Sequence, residues 1–97
     1  KITITGSNGF IGKYLCNYYR EYGHHIIELN RGVCDLEDAE SVKNFFTANP
    51  TDVVIHTALY GRELVHKDNI ELYDRNIAMW ENLVSNHDKF QKMVANG

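Results

Sequence analysis

Three glycines stand within seven residues at the junction between a short apolar segment and a helical pattern. The segment reads ITGSNGFIG from Ile4, and its glycines are Gly6, Gly9 and Gly12. Glycine accepts the positive φ of a tight turn, and its missing side chain allows close approach of a helix or a bound phosphate. The first turn of a helix also offers unbonded N–H groups and a partial positive charge. The motif therefore predicts a strand, a tight turn and a helix whose start can bind a pyrophosphate.

The spacing of these glycines, G-x-x-G-x-x-G, differs from the G-x-G-x-x-G of the usual dinucleotide-binding fingerprint. A purely structural turn that binds nothing is therefore the alternative interpretation. The context favours binding, because the triplet follows a strand, opens a helix and lies within a strand–helix–strand unit. The side chains of Ser7 and Asn8 can add hydrogen-bond donors at the same place.

Apolar periodicity predicts strands and helices that alternate along the rest of the chain. Strands are expected at residues 1–5, 25–29, 33–35, 52–58 and 90–95, and helices at residues 11–22, 37–48 and 70–84. The run DVVIHTA at residues 52–58 is almost continuously apolar, which is typical of a strand buried on both faces. Because alternating strands and helices form a parallel sheet with right-handed crossovers, the predicted fold class is α/β.

Each predicted helix carries an apolar stripe that is expected to pack against the sheet. The stripes are Ile11, Leu15, Tyr18 and Tyr22 in the first helix, Val42, Phe45 and Phe46 in the second, and Ile70, Tyr73, Ile77, Trp80 and Val84 in the third. By this spacing, Trp80 is expected to face the core.

Composition indicates one small domain. The chain has 97 residues, of which 43% are hydrophobic and 24% charged, and a formal net charge of -3. This acidic balance argues against a surface for nucleic acid or an anionic membrane. No apolar run approaches the ~20 residues of a membrane-spanning helix, and no signal peptide is evident. The sequence therefore predicts a cytoplasmic protein that binds neither nucleic acid nor membrane.

Cysteines and histidines receive simple interpretations. Cys16 and Cys34 are the two cysteines and are predicted to be buried thiols, with a disulfide as the alternative. His24-His25 is predicted to lie in a solvated turn, because no further metal ligands stand at a defined spacing, and no metal site is expected. His56, at the end of a predicted buried strand, is expected to be packed and hydrogen bonded, with a proton-shuttle role as the alternative.

The end of the second predicted strand lies about 20 residues beyond the glycines, where a dinucleotide's ribose is normally bound. The residues there are Asn30 and Arg31. An acidic residue would repel a 2′-phosphate, whereas Asn30 does not and Arg31 can pair with it bidentately. The sequence therefore favours NADP over NAD. In the alternative, Arg31 stacks over the adenine or points to solvent.

Several segments occur in the order in which the extended short-chain dehydrogenase/reductase family presents them. After ITGSNGFIG they are CDLED at residues 34–38, PTDVVIHTA at 50–58, NIAMWENL at 76–83 and FQKMVANG at 90–97. The chain therefore resembles the cofactor-binding part of this family of nucleotide-sugar epimerases, dehydratases and reductases. The resemblance implies a Rossmann-like parallel sheet with flanking helices. The polar segment at residues 60–68, which is predicted to be a loop, and the short segment at Asp35 are most similar to the subgroup that reduces nucleotide-linked 4-keto-sugars.

The resemblance also implies contacts to the cofactor. The pyrophosphate would be held by Gly6, Asn8, Gly9, Phe10, Ile11 and Gly12, and the adenine by Asp35 and Leu36. The ribose and nicotinamide side would be lined by Thr57, Ala58, Leu59 and Tyr60, with Asn76 supporting that wall. Two pairs depart from the family pattern, namely Ala58-Leu59 in place of Ala-Ala and Ala78-Met79 in place of Gly-Thr.

Family catalysis uses a Ser or Thr together with a Tyr that has a Lys four positions later. None of the 6 tyrosines has such a Lys, so no catalytic residue is assigned. Residues 1–97 are therefore expected to form the dinucleotide-binding, N-terminal part of a longer enzyme, truncated before the catalytic segment that would follow Gly97.

The resemblance implies an NAD(P)-dependent oxidoreductase, epimerase or dehydratase that acts on a nucleotide sugar. It is also compatible with a homodimer formed through helices that include the one starting near Ile70. A non-catalytic NAD(P)-binding sensor or interaction module is the first alternative. The second is a protein whose glycines only form turns and which binds no dinucleotide.

Overall fold

A computed structural model of the protein describes residues 1–59 and 70–95. In chain order, the described elements are β1 (Ile2–Thr5), α1 (Phe10–Glu21), β2 (Ile26–Leu29), α2 (Ala39–Ala48), β3 (Val53–His56), α3 (Ile70–Val84), a short 3₁₀ helix (His87–Lys89) and β4 (Lys92–Ala95). Within these residues, no helix combines the length and the apolar character needed to cross a membrane.

The described strands form one 4-stranded sheet in the order β2-β1-β3-β4, and every pairing is parallel. Ile4 lies opposite Glu28 of β2 on one side and Ile55 of β3 on the other. The chain leaves β1 for β2 on one side and later returns to β3 on the other side. This reversal creates a crevice at the carboxyl ends of β1 and β3, the usual ligand position in such sheets. The predicted α/β, Rossmann-like fold is confirmed.

Helices cover both faces of the sheet and create two apolar clusters. On one face, α1 covers a cluster of Ile2, Ile4, Cys16 and Ile55. On the other, α2 and α3 cover a larger cluster that includes Leu29, Cys34, Leu36, Val42, Phe45, Phe46, Val54, Met79 and Leu83. Val54 and Ile55 are adjacent in β3 and belong to different clusters, so the strand is buried on both faces, as its continuous apolar run predicts.

The two cysteines lie in these different clusters. Both Cys16 and Cys34 are free and buried. Burial raises the pKa of each thiol above its ordinary value, so both are protonated at neutral pH. The prediction of two buried thiols is confirmed, and the disulfide alternative is wrong.

The short strand predicted at residues 33–35 is wrong. The N–H groups of Val33 and Cys34 both donate to the carbonyl of Asn30 at 3.0 Å, which closes a turn. The N–H of Asp35 donates to the Ser41 hydroxyl at 3.2 Å. Because these three donors are used locally, the segment has no N–H left for pairing with the sheet.

The buried face predicted for α3 is also wrong. Trp80 is 41% exposed, Tyr73 is 67% exposed and Ile70 is 75% exposed, whereas Met79 and Leu83 are buried at 4% and 0%. The helix carries a second apolar stripe, and this stripe faces the cluster shared with α2. Periodicity alone finds both stripes and cannot rank them, because the packing partner decides which is buried.

The stripe predicted for α1 is only partly buried. The buried residues of α1 are Gly12 and Cys16, which the predicted stripe did not include, and Ile11 and Leu15 of the stripe are half-buried beside them. Tyr18 and Tyr22 are exposed, and their ring centroids lie 4.9 Å apart on the surface. Their rings therefore pack on each other instead of on the sheet.

Candidate functional site

A groove of about 380 Å³ opens where the carboxyl ends of β1, β2 and β3 meet the start of α1. This is the crevice that the strand order predicts. Its lining residues are Gly6, Asn8, Gly9, Ile11, Gly12, Leu29, Asn30, Arg31, Cys34, Asp35, Leu36, Thr57, Ala58, Leu59 and Met79.

Two of the three glycines of the ITGSNGFIG motif are required by the fold itself. Gly6 has a φ of 65°, and a Cβ there would stand 2.8 Å from both the Ala58 nitrogen and the Thr57 hydroxyl oxygen. A Cβ on Gly12 would overlap the Gly6 carbonyl oxygen and stand 2.7 Å from its carbon. Side chains at these positions would push α1 and β3 away from the turn.

Gly9 has a different role, because a Cβ there would meet its nearest neighbour, the Gly6 carbonyl oxygen, at 3.3 Å. Gly9 is exposed and is the N-cap of α1, with an ordinary φ of -76°. The fold therefore demands a glycine less strongly here than at Gly6 or Gly12. The absence of a side chain keeps the surface of the helix start open to a ligand.

The N-terminus of α1 is suited to an anion. Within residues 1–59 and 70–95, no side chain caps it, and its first turn contains no acidic residue. The Lys13 N–H donates to the Gly9 carbonyl at 2.9 Å, so the N–H groups of Phe10, Ile11 and Gly12 come before the first turn of helical hydrogen bonds. These N–H groups and the helix dipole favour negative charge at the groove.

Hydrogen bonds that Thr5 accepts fix the wall of the groove at Thr57 and Ala58. The Thr5 hydroxyl oxygen accepts the N–H of Thr57 at 3.0 Å and that of Ala58 at 3.2 Å. Thr57 in turn donates its hydroxyl to the Thr5 carbonyl at 2.6 Å. The wall at Thr57 and Ala58 is therefore tied to the end of β1 and does not depend on packing alone.

His56 completes this network. Its Nδ1 lies 2.7 Å from the Thr5 hydroxyl oxygen. That oxygen already accepts two N–H groups, so its own hydrogen is directed at Nδ1, and the imidazole carries its hydrogen on Nε2. Burial lowers the pKa of His56 to about 4. His56 is thus a neutral, packed and hydrogen-bonded residue, which agrees with the first interpretation of the sequence.

Asn30 and Arg31 lie on the β2 side of the groove. The Asn30 side-chain oxygen accepts the Gly32 N–H at 2.9 Å, and its amide nitrogen donates to the Ser7 hydroxyl at 3.4 Å. The amide therefore shapes the turn after β2 and ties it to the glycine turn. Arg31 is exposed and lines the groove, so it is placed to meet a charged group of a ligand.

Asp35 and Leu36, which follow Arg31 along the chain, also line the groove. One oxygen of the Asp35 carboxylate, Oδ1, accepts the Glu37 N–H at 3.0 Å, which fixes the side chain's orientation. Asp35 is exposed, whereas Leu36 is buried in the core cluster. This part of the groove therefore combines the carboxylate of Asp35 with the apolar surface of Leu36.

Most of the predicted site residues lie together in this groove: Gly6, Asn8, Gly9, Ile11, Gly12, Asn30, Arg31, Asp35, Leu36, Thr57, Ala58 and Leu59. Ser7 is buried at 1% beneath the turn, and the Phe10 side chain is 92% exposed and does not line the groove. Asn76 is half-buried on α3 and is not part of the lining. Tyr60 lies outside the described residues.

Sequence reasoning missed three apolar lining residues, Leu29, Cys34 and Met79. Leu29 directly precedes Asn30, and Cys34 directly precedes Asp35. These positions beside predicted site residues could have identified both as lining residues. Met79 had no such signal, because the other stripe of α3 was expected to face inward. Together these three side chains give the groove an apolar surface, here called the apolar floor.

Comparison with known proteins supports a single family. The profile of the NAD dependent epimerase/dehydratase family matches residues 2–93. A dTDP-4-dehydrorhamnose reductase of Mycolicibacterium smegmatis is 38% identical over 60 residues, which are 62% of this chain and 18% of the relative. The spore coat polysaccharide biosynthesis protein SpsK of Bacillus subtilis is 28% identical over 60 residues, which are 62% of this chain and 21% of the relative. The chain thus matches only a small part of these relatives' lengths.

Solved structures share the fold. A GDP-mannoheptose C4 reductase from Campylobacter jejuni, solved with NADP bound, has a TM-score of 0.86 at 22% identity, covering 98% of this chain and 30% of the other. A GDP-L-fucose synthetase from Naegleria fowleri, bound to NADP, has a TM-score of 0.79 at 22% identity, covering 97% of this chain and 30% of the other. Since the family profile matches almost the whole chain, this protein belongs to the NAD dependent epimerase/dehydratase family.

Proposed function

We propose that residues 1–97 form the dinucleotide-binding part of an NAD(P)-dependent enzyme that reduces a keto group on a nucleotide sugar, with NADP as the preferred cofactor. One observation carries the proposal. The N-terminus of α1, which no described side chain caps, opens onto a groove that Arg31 and Asp35 also line. A positive helix start, a cation and a carboxylate in one groove match the pyrophosphate, the 2′-phosphate and the adenine of NADP.

The residues present fit such a cofactor. Gly9 has no side chain and leaves the surface of the helix start open, and the first turn of α1 contains no acidic residue that would repel a phosphate. The N–H groups of α1 would hold the pyrophosphate, and Arg31 the 2′-phosphate. Asp35 would accept a hydrogen bond from the adenine amino group, and Ala58 would pack against the ribose and nicotinamide side. The apolar floor would exclude water from the adenine.

The relatives support the reaction class. One is a dTDP-4-dehydrorhamnose reductase, and a similar structure is a GDP-mannoheptose C4 reductase with NADP bound. When bound, the cofactor supplies a hydride to a carbon of the substrate. In this chain, the described residues would bind and orient the cofactor, and the neutral His56 would stabilise the wall beside it without carrying a positive charge at neutral pH. A cytoplasmic location and a homodimer remain part of this proposal.

Calorimetric titration with NADPH and NADH tests the cofactor preference. NADPH is expected to bind more tightly, and Arg31→Ala should weaken NADPH binding by about tenfold or more, since a charge-assisted hydrogen bond contributes about 1.5–3 kcal/mol. NADH binding should change little. Arg20→Ala is the matched control, because Arg20 pairs with Glu28 at 2.7 Å at the far end of α1. Tighter binding of NADH would overturn the preference, and no binding of either would overturn the site.

Gly9→Ala separates ligand binding from turn formation. The added methyl group would stand beside the N–H groups of α1, where the pyrophosphate is proposed to lie. We expect the affinity for NADPH to fall by about tenfold, while the free energy of unfolding falls by less than ~1 kcal/mol. Calorimetry and urea unfolding measure the two quantities on the same protein. Unchanged affinity would favour the interpretation that the glycines only form a turn.

A further inference from the structure

Three consecutive residues, which begin at the proposed adenine contact Asp35, are each held by a different partner. The Asp35 N–H donates to the Ser41 hydroxyl of α2 at 3.2 Å. The Leu36 carbonyl accepts the side-chain amide of Asn82 at 2.8 Å. The Glu37 carboxylate accepts Nε and Nη2 of Arg75, both at 3.0 Å. Residues 35–37, here called the 35–37 loop, are therefore anchored to both α2 and α3.

The contact between Glu37 and Arg75 has the geometry of a strong ion pair. Both carboxylate oxygens are used, each by a different nitrogen of the guanidinium, so the pair is bidentate. The Arg75 side chain is 39% exposed and the Glu37 side chain 26% exposed. Partial burial reduces screening by water, and the planar fork restricts where Glu37 can sit.

The ion pair reaches the groove through the backbone of Glu37. The Glu37 N–H donates to Oδ1 of Asp35 at 3.0 Å, so the position of Glu37 sets the orientation of the Asp35 carboxylate. Asp35 lines the groove, whereas neither Glu37 nor Arg75 does. The described contact with Glu37 therefore gives Arg75 an indirect route to a bound ligand, through the 35–37 loop.

One face of α3 contributes both to the groove and to the anchoring. Arg75, Met79 and Asn82 are spaced by four and three residues, so they lie along the same side of the helix. Met79, between the two anchoring residues, lines the groove itself. α3 thus contributes Met79 to the lining of the groove and also anchors the 35–37 loop.

We propose that Arg75 and Asn82 are positioning residues for the adenine of the bound dinucleotide. They hold the 35–37 loop so that the Asp35 carboxylate and the Leu36 surface meet the adenine ring. This inference rests on the proposed function, which places a dinucleotide in the groove. It adds that the affinity for the adenine portion depends on α3. Arg75 lies 38 residues after Glu37 in the chain, and Asn82 lies 46 residues after Leu36.

The test compares ligands with and without adenine. In the full chain, Arg75→Ala and Asn82→Ala are each expected to weaken binding of 2′-phospho-ADP-ribose by about tenfold, because small displacements of a binding group reduce affinity steeply. Binding of inorganic pyrophosphate should stay within about twofold, because the α1 site is untouched. Arg20→Ala, which breaks an exposed Arg–Glu pair elsewhere, should change neither affinity. A purely structural role would weaken both ligands equally, which would overturn the proposal.

A double-mutant cycle keeps the test decisive if Arg75→Ala unfolds the chain. Glu37→Gln keeps the size of the side chain and removes its charge, and it should weaken 2′-phospho-ADP-ribose in the same way. Arg75→Lys is the second single variant. The double variant should bind 2′-phospho-ADP-ribose no more weakly than the weaker-binding of the two single variants, since the two residues act through one contact. Additive losses would overturn the proposal. Wild-type protein that binds no ligand would instead contradict the proposed function.

Discussion

Gly12→Ala is expected to lower the free energy of unfolding by about 3 kcal/mol, the upper part of the range for overpacking a close contact. The added Cβ would overlap the Gly6 carbonyl oxygen, which belongs to the backbone of the turn and cannot rotate away. Relief requires α1 to move off the turn, and this would disturb the contact of Cys16 with Ile4 and Ile55. Urea unfolding followed by circular dichroism measures the loss.

Two other glycines provide matched controls for this variant. Gly23 has a φ of 86° and open space around its Cβ position, so Gly23→Ala should cost only about 1–2 kcal/mol of backbone strain. At Gly9, where the nearest atom is 3.3 Å away, the cost should stay below ~1 kcal/mol. Equal losses for Gly9→Ala and Gly12→Ala would contradict the steric explanation.

The sheet could be predicted because its signals are local. The run at residues 52–58 is apolar at consecutive positions, and Val54 and Ile55 are indeed buried on opposite faces. The glycine motif could also be predicted. The tight turn restricts the residue type at Gly6, and the close packing of α1 restricts it at Gly12. Where backbone geometry or two-sided burial dictates the residue, sequence and structure agree.

The face of α3 could not be predicted, because its helix has two apolar stripes. The stripe that includes Tyr73 and Trp80 is more aromatic, yet Met79 and Leu83 are the buried residues. Which stripe packs depends on where α2 lies, and this information is not local to the helix. The same error concealed Met79 as a lining residue of the groove.

The outline of the candidate site could be predicted, but the internal hydrogen bonding could not. Asn30 and Asp35 were expected as ligand contacts, and both line the groove. Each also uses its side chain within the protein, Asn30 for Gly32 and Ser7, and Asp35 for Glu37. The contact between Asn30 and Ser7 joins residues 23 apart in the chain, and the two local contacts depend on turn geometry, so none of them produces a periodic pattern in the sequence.

Stability is expected to fall by about 3 kcal/mol as the pH is lowered from 6.5 to 4, because of His56. Burial lowers the pKa of His56 from 6.5 to about 4, so in this window the unfolded chain binds a proton and the folded chain does not. The contribution of the neutral imidazole is therefore fully present above pH 6.5 and is lost as the pH falls towards 4. Protonation would also remove Nδ1 as the acceptor of the Thr5 hydroxyl, 2.7 Å away. Urea unfolding at closely spaced pH values measures the slope.

His56→Asn isolates this effect, because the Asn side-chain oxygen can occupy the position of Nδ1 and accept from Thr5 without titrating. The variant should lose most of the slope between pH 6.5 and 4 while keeping the wall at Thr57. If wild type and variant show the same slope, His56 is not neutral in the folded chain, and the Thr5 hydroxyl must be oriented differently from the arrangement derived above.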